Sequence, residues 1–232
     1  MDRAIVQTHG LCKNYGNKRA LNDINISLYE NRVMGILGPN GSGKTTLIKI
    51  LAGILNPSSG QATINDLRPG PATKAIVSYL PDRNFMYEFF TIKEALLFYQ
   101  DFFKDFNMQK ANELLEFMKL DKKMDINKLS KGMKEKLNLA LVLSRNAALY
   151  ILDEPIAGVD PVARDQILDA IIKNVDEDST MLVTTHLVRD MEQIFDDVVF
   201  LANGEIVLKG NCEQLRDEKG MSMDSIFKEI FG

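Results

Sequence analysis

The chain is poor in the residues that build disulfide frameworks, zinc sites and membrane spans. Its 232 residues include no tryptophan, two cysteines (Cys12 and Cys212) and two histidines (His9 and His186). The cysteines form no C-x-x-C pattern, so we expect reduced thiols, and two histidines are too few for the usual zinc sites. No stretch approaches the ~20 apolar residues of a membrane span, and residues 1–5 lack a signal-peptide apolar region. We therefore expect no direct insertion into a membrane.

The charge balance argues against a nucleic-acid-binding protein. The chain carries 28 Lys and Arg against 32 Asp and Glu, which gives a formal net charge of −4. A nucleic-acid binder usually presents a strongly basic face, and the bulk charge here gives no such signal. With 45% hydrophobic residues, the chain has enough apolar content for a core. We expect one large domain or two closely packed subdomains.

A glycine-rich loop carries the strongest chemical signal. Residues 38–46 match the pattern G-x-x-x-x-G-K-[ST], which wraps the phosphates of a nucleoside triphosphate. Glycines let backbone N–H groups approach anionic oxygens, Lys44 would reach the β- and γ-phosphates, and the Thr45 hydroxyl would bind Mg²⁺. The predicted nucleotide contacts in this loop are Gly38, Pro39, Asn40, Gly41, Ser42, Gly43, Lys44, Thr45 and Thr46.

The sequence on both sides of the loop supports this interpretation. Residues 33–37 predict a buried strand, and residues 44–54 predict a helix whose N-terminal partial charge would favour an anion. The alternative is an incidental glycine-rich turn. The rival dinucleotide pattern G-x-G-x-x-G fails, because Thr46 stands where its third glycine should be.

Elsewhere the sequence predicts strands that alternate with helices, as in a largely parallel sheet. The predicted strands are 3–9, 12–16, 21–29, 33–37, 76–80, 149–152 and 181–185. The predicted helices beyond the loop are 91–104, 108–119 and 130–145, and residues 58–60 are predicted as a turn. Thr91 and Glu94 form a predicted capping box at the start of the first of these helices, and Asp160 is a predicted N-cap before Pro161. We infer an α/β fold with an antiparallel β region before the loop and an inserted helical subdomain. Phe98, Phe102 and Phe106 recur four residues apart, which predicts a core face within that subdomain.

Polar residues follow two of the predicted strands, at the edge where α/β sheets bind ligands. Asp153 and Glu154 end an apolar strand, so Asp153 is placed to hold Mg²⁺ and Glu154 to act as general base for an attacking water. The alternative for such a pair is a helix cap or an exposed turn. His186 follows strand 181–185 and would bind the γ-phosphate or position the water, unless it is structural or solvated.

In their order along the chain, these motifs resemble an ATP-binding-cassette (ABC) ATPase, and the resemblance covers nearly the whole sequence. Leu129–Met133 (LSKGM) is similar to the signature LSGGQ, Ala157–Asp160 to the D-loop, and Tyr79–Asp82 to the Q-loop region. His186 falls at the switch histidine of the family. Tyr15 falls where the family stacks an aromatic ring on adenine.

The resemblance implies a fold of the P-loop NTPase (RecA-like) type, with a mostly parallel sheet, an N-terminal antiparallel β region and an inserted helical subdomain. It implies a single ABC ATPase domain over 1–232, with its core in 1–84 and 147–232 and the helical subdomain, including the signature, in 85–146. The catalytic residues would be Lys44, Glu154 and His186. The residues that organise Mg²⁺ would be Thr45, Asp153 and Asp82.

The resemblance also implies partners. Two ATPase subunits, identical or homologous, would close head-to-tail on two ATP molecules, with Ser130, Gly132 and Asp160 of one meeting the nucleotide of the other. Closure would drive a multi-span membrane permease, which places the chain at the cytoplasmic face of the cell membrane without nucleic acid. In the family, the segment at 85–90 forms a groove for a short helix of the membrane subunit; the alternative is packing inside the helical subdomain.

Three residues depart from the family pattern. In the signature, Lys131 replaces a glycine and Met133 replaces a glutamine, whereas Ser130 and Gly132 are kept. Lys131 would add charge near the phosphates or point to solvent. Asp82 replaces the Q-loop glutamine, so its metal role stays open against that of a plain turn residue.

The LSKGM and YLPD variants look most like bacterial exporter ATPases for peptides, toxins or antimicrobials, including the Ytr-like and phenol-soluble-modulin exporter groups. Two other functions stay open: a soluble ABC protein in translation or repair, and a regulatory ATP-binding module with low turnover. The single cassette disfavours the first, and Glu154 disfavours the second. Residues 211–232 predict two short amphipathic segments that close the fold or contribute to a dimer contact.

Overall fold

The structure, a computed structural model, describes residues 3–174 and 180–232. Residues 1–2 and 175–179 fall within the predicted core segments and lie outside this description. The strands are β1 (Ala4–Tyr15), β2 (Lys18–Ile24), β3 (Ser27–Tyr29), β4 (Val33–Leu37), β5 (Ser59–Ile64), β6 (Val77–Leu80), β7 (Leu149–Asp153), β8 (Met181–Thr185), β9 (Asp197–Ala202) and β10 (Glu205–Asn211). The helices are α1 (Lys44–Leu51), α2 (Pro71–Lys74), α3 (Ile92–Phe102), α4 (Met108–Phe117), α5 (Lys131–Leu143), α6 (Pro161–Asn174), α7 (Val188–Met191), α8 (Cys212–Lys219) and α9 (Met223–Phe231).

A six-stranded sheet with the order β10-β9-β4-β8-β7-β6 forms the centre of the fold. All pairs in it are parallel except the β9–β10 hairpin. Every residue of β4, β7 and β8 is buried, because strands covered on both faces are apolar throughout. The carboxyl ends of these three strands meet at one edge of the sheet. The predicted α/β fold with a mostly parallel sheet is confirmed.

The antiparallel region differs in detail from its prediction. The predicted strands 3–9 and 12–16 are one strand, β1, which pairs with β2, β3 and β5 and has irregular register near Gly10. The turn predicted at 58–60 is wrong, because Ser59 begins β5. Gly60 has φ +78°, and a Cβ there would collide with the Gly10 carbonyl oxygen. Close approach of two backbones, which only glycine allows here, therefore explains a turn-like sequence inside a strand.

Two hydrophobic cores lie on either side of the six-stranded sheet. One core joins α1 to the antiparallel strands, and the other joins the sheet to α3, α4, α5, α6 and the C-terminal helices. Helix α3 begins at the predicted capping box, in which the Glu94 N–H donates to Thr91 Oγ1 (3.2 Å) and the Thr91 N–H donates to Glu94 Oε2 (2.7 Å). Each of these two hydrogen bonds satisfies a backbone N–H that has no partner within the first helical turn.

The aromatic face of α3 is not the predicted core face. The helix buries Ile92, Ala95, Leu96 and Tyr99, which follow the spacing of one helical stripe. On the neighbouring stripe, Phe98 is 38% exposed and Phe102 is 69% exposed. Phe106 lies beyond the helix and is partly buried against the core. The four-residue spacing of Phe98 and Phe102 therefore marks an outer face of the subdomain.

The two predicted C-terminal segments form α8 and α9, which pack against the sheet. Met223 and Ile226 are buried in the core, and the Phe231 ring stacks on Phe200 of β9 with ring centroids 6.4 Å apart. They therefore close the fold. Among the helices that the structure describes, none has the length and apolarity to cross a membrane.

Candidate functional site

The glycine loop connects β4 to α1 and is held by close backbone contacts. Gly43 has φ +113°, and a Cβ there would lie 2.7 Å from the carbonyl oxygen of Ala20. A Cβ at Gly38 would collide with the carbonyl oxygen of Leu201. Gly41 has φ +81° and open space where its Cβ would stand. The loop thus needs glycine at its packed positions and leaves one face open for a ligand.

Lys44 directs its charge into the loop. Its side chain is 5% exposed, and Nζ donates to the carbonyl oxygens of Gly38 (2.7 Å) and Pro39 (3.2 Å). Nζ also pairs with Glu154 Oε1 at 3.1 Å. A buried ammonium surrounded by carbonyl oxygens and one carboxylate is a suitable partner for an anion such as phosphate, which would compete for the same donors.

Asp153, at the end of β7, contacts the loop through one carboxylate oxygen and keeps the other without a partner. Its Oδ1 accepts hydrogen bonds from Thr184 Oγ1 (2.7 Å) and Thr45 Oγ1 (3.3 Å). Its Oδ2 is buried and has no hydrogen-bond partner among the described residues. Burial raises the pKa of Asp153, and the Thr184 hydrogen bond acts in the opposite direction.

A magnesium ion suits this pair of oxygens. Mg²⁺ usually takes one or two protein oxygens and completes its shell with water and substrate phosphates. The orphaned Oδ2 of Asp153 and the adjacent Thr45 hydroxyl are such donors. In residues 3–174 and 180–232, no group of three His, Cys, Asp or Glu side chains forms a metal site.

Glu154 lies between the loop lysine and the histidine. Its backbone has φ 52°, a left-handed value that costs a non-glycine residue about 1–3 kcal/mol. Its N–H donates to both the carbonyl oxygen and Oγ1 of Thr184, each at 3.1 Å. Its Oε2 lies 2.8 Å from His186 Nδ1. The strained turn and these contacts fix the carboxylate beside Lys44.

Thr184 is a functional candidate that the sequence analysis missed. Its hydroxyl donates to Asp153 and accepts from the Glu154 N–H, so it orients both acidic residues. In the sequence it is one residue of a buried strand. Its position two residues before His186 is the only sign of a role.

A cavity of 460 Å³ opens beside the loop. Six loop residues contribute to its wall, together with Tyr15, Asp82 and Glu154. The structure thus brings together residues that are far apart in the chain. Lys18 and Arg19 also line the cavity, and the sequence analysis missed both, because they follow a surface turn with no motif. The Tyr15 ring is half exposed, as a ring available for stacking must be.

The family model described as "ABC transporter" matches residues 21–157, which is more than half of the chain. The chain belongs to the ABC transporter family. Membership confirms the predicted family and the predicted enzyme class: this ABC protein binds ATP and is an ATPase. A solved ATP-binding subunit of an ABC transporter is 27% identical and superimposes with a TM-score of 0.87, covering 98% of this chain and 100% of that chain. An ATP-binding cassette in its ADP conformation is 26% identical, with a TM-score of 0.76, covering 99% and 98%.

Curated relatives agree with this family. The uncharacterized ABC transporter ATP-binding protein YxlF of Bacillus subtilis is 34% identical, covering 93% of this chain and 74% of that protein. The Nod factor export ATP-binding protein I of Bradyrhizobium diazoefficiens is 32% identical, covering 94% and 74%. The ABC transporter ATP-binding protein YtrB of Bacillus subtilis is 28% identical, covering 92% and 74%. The chain therefore spans about three quarters of each relative.

The signature residues of this ABC ATPase form a second cluster away from the cavity wall. Ser130 caps α5, since its Oγ accepts a hydrogen bond from the Met133 N–H (3.2 Å). Asp160 caps α6 in the same way, accepting from the Ala163 N–H (3.0 Å). A Cβ at Gly132 would lie 2.9 Å from Asp160 Oδ2, so the two helix N-termini are in contact. None of these residues lines the cavity beside the loop.

Lys131, the residue that departs from the signature, is exposed and lies over the D-loop of its own chain. Its Nζ stands where a Cβ of Gly158 would be. The lysine is therefore exposed to solvent with its ammonium against the D-loop, and it does not line the cavity beside the glycine loop.

Proposed function

We propose that this ABC protein is the ATPase subunit of an exporter, and that two copies, or this chain and a homologue, close on two ATP molecules to drive a membrane permease. The observation that carries the proposal is the set of contacts at the sheet edge: Lys44 to Glu154 at 3.1 Å, Glu154 to His186 at 2.8 Å, and Asp153 to Thr45 at 3.3 Å. This arrangement supports a site in which charge, metal ligands and a base would surround one phosphate position.

Each residue has a distinct task in the proposed reaction. Lys44 and the loop amides neutralise phosphate charge as it shifts in the transition state. Thr45, Asp153 through its free Oδ2, and Asp82 would hold Mg²⁺, which would supply positive charge to stabilise the phosphates. Glu154 takes a proton from the attacking water. His186 holds the Glu154 carboxylate in place.

The position of the signature cluster supports a dimer. Ser130 is exposed at the N-terminus of α5, and Gly132 and Asp160 adjoin it, yet none of them lines the cavity of their own chain. A second copy would supply these groups to the γ-phosphate. ATP would then favour the closed pair, because only the closed pair provides both sets of contacts.

An exposed aromatic surface on the helical subdomain supports a membrane partner. This aromatic surface consists of Tyr87, Phe89, Phe98 and Phe102, whose rings contact one another in pairs. Beside it lies an apolar groove of 300 Å³ between the sheet edge and α3. We assign the groove and the aromatic surface to a short helix of the permease at the cytoplasmic face of the membrane.

An export function agrees with relatives named for Nod factor export. The cargo class, peptides, toxins or antimicrobials, would be selected by the permease.

The substitution Glu154→Gln tests the ATPase and dimer parts of the proposal. It keeps the size of the side chain and removes the base, so we expect ATP hydrolysis to fall by about 10²–10⁴-fold. Because ATP still binds, the variant is expected to elute as a dimer with ATP and as a monomer without it, measured by gel filtration with light scattering. Glu218→Gln, an exposed position in α8, is the control and is expected to behave as wild type. Hydrolysis at the wild-type rate by Glu154→Gln, or a monomer with ATP, would contradict the proposal.

A further inference from the structure

Tyr79 lies on the strand that lines the apolar groove and leads to Asp82, a residue of the cavity beside the glycine loop. It is the third residue of β6, the edge strand of the six-stranded sheet. It lines the groove together with Tyr99, Phe102 and Phe103. Its hydroxyl oxygen is buried and has no hydrogen-bond partner among the described residues. A buried phenol without a partner is uncommon, because such groups are normally paired.

The same face of the sheet carries a second orphaned atom. Tyr79 pairs with Ile151 in the parallel register of β6 and β7. Because side chains two residues apart share a face, Asp153 points to the same side as Ile151 and Tyr79. The Oδ2 atom of Asp153 is also buried without a partner in the described part of the chain. One oxygen ligand between them would satisfy both atoms.

Electrostatics agrees with this placement. Burial raises the pKa of Tyr79 well above its usual range, and the charges of Asp153 and Asp82 raise it further. The phenol is therefore in the field of both carboxylates and keeps its proton. In this state it can donate one hydrogen bond.

We propose that Tyr79 is a positioning residue that links the permease groove to the magnesium site: its hydroxyl donates to the water shell of the ion on the Asp153 Oδ2 side, while its ring forms part of the groove wall. The inference rests on the proposed function of the site. It adds a physical connection between the two regions, since an occupant that presses on the ring displaces the hydroxyl. Magnesium affinity would then depend on Tyr79, although Tyr79 is not itself a metal ligand.

The substitution Tyr79→Phe tests this role, because it removes one oxygen and keeps the ring. ATP binding is measured by calorimetry on the purified chain, first in EDTA and then in a Mg²⁺ titration. We expect the ATP affinity in EDTA to be unchanged. The Mg²⁺ concentration that gives half of the maximal change in ATP affinity should rise about tenfold, as for other residues that orient the ligands of a metal. Tyr99→Phe is the matched control, since it removes a phenol from the same groove and is expected to leave the Mg²⁺ dependence unchanged.

Three results would overturn the inference: an unchanged Mg²⁺ dependence in Tyr79→Phe, an equal shift in Tyr99→Phe, or a loss of ATP binding that is the same with and without Mg²⁺. These readouts concern binding to the single chain. They are separate from the hydrolysis and dimerisation of the Glu154→Gln experiment, so a failure of the proposed function and a failure of the Tyr79 inference can be told apart.

Discussion

Among single residues, Glu135 lowers the stability of the folded chain at neutral pH. It lies in α5, one turn after Lys131, and is partly buried. Burial raises the pKa of Glu135; nearby Lys131 lowers it in part, and nearby Asp82 raises it. A raised pKa means that the folded chain holds the proton more tightly than the unfolded chain. The stability contributed by the protonated form is therefore present below the usual glutamate pKa of about 4.3 and is lost as the pH rises through the folded value.

We accordingly expect Glu135→Gln to raise the melting temperature by a few degrees at pH 7.5, because the neutral amide avoids the cost of a partly buried charge. The gain should shrink toward pH 4, where wild-type Glu135 is itself protonated. Thermal unfolding followed by circular dichroism at several pH values measures both effects. Glu116→Gln, on the exposed side of α4, is the control. A gain that is independent of pH would contradict this explanation.

The sequence could predict the position of residues that belong to a local motif. Lys44 follows its glycines, and Asp153 and Glu154 end an apolar strand, so local pattern places all three at one sheet edge. Thr184 and the Tyr79 hydroxyl could not be predicted, because their importance depends on which residue lies on the neighbouring strand. The strand order β8-β7-β6 decides which residues are neighbours, and this order cannot be read from the spacing of residues within one segment.

At the level of elements, one buried guanidinium fastens the helical subdomain to the sheet. Arg145, just after α5, is 3% exposed and donates to Asp105 through Nε (3.0 Å) and Nη2 (2.9 Å). It also donates to the carbonyl oxygens of Val77 (2.6 Å) and Ala75 (2.8 Å). The guanidinium carbon lies 4.0 Å from the centroid of the Phe103 ring. The segment after α3 is thereby tied to β6.

Removing the Asp105 carboxylate should leave the buried Arg145 guanidinium without an opposite charge. We expect Asp105→Asn to lower the free energy of unfolding by about 3 kcal/mol, measured by urea denaturation. The control is Asp190→Asn, which removes the partner of Arg164 in a pair at 2.9 Å whose side chains are each about 30% exposed. Ion pairs that water still reaches contribute little, so this loss should be under about 1 kcal/mol. Equal losses in the two variants would show that burial of Arg145 is not the cause.

Elements were predictable where their signal is local. The capping residues Thr91 and Asp160 stand at the observed starts of α3 and α6. Strand β5 was missed, because its stability comes from pairing with β1, more than 40 residues away in sequence. The face of α3 was misassigned for a similar reason: packing against neighbouring helices, not the spacing of its Phe residues, decides which stripe is buried.

At the level of the whole molecule, the two hydrophobic cores pack different functional elements. The core that includes α1 packs the helix that follows the glycine loop, and the core that includes α3 and α5 packs the helix that begins at the signature and the helix beside the groove. Edge strand β6 belongs to both, since Val77 packs in the first core and Leu80 in the second. A partner bound at the groove therefore contacts the one strand that leads directly into the Q-loop region.

The aromatic surface beside that groove is then expected to hold the chain to the membrane through its permease. Phe89 is 77% exposed and Phe102 is 69% exposed, so neither contributes much to the fold. Aromatic anchors at interface centres commonly contribute about 2 kcal/mol or more each. The double substitution Phe89→Asn and Phe102→Asn should therefore weaken attachment by more than about 100-fold and move the chain from the membrane pellet to the supernatant of fractionated host cells. Val207→Asn, which changes an exposed apolar residue of β10, should stay in the pellet like wild type. If the double variant sediments with membranes as wild type does while its melting temperature is unchanged, the permease must bind elsewhere, because both anchors of this surface will have been removed from a folded chain.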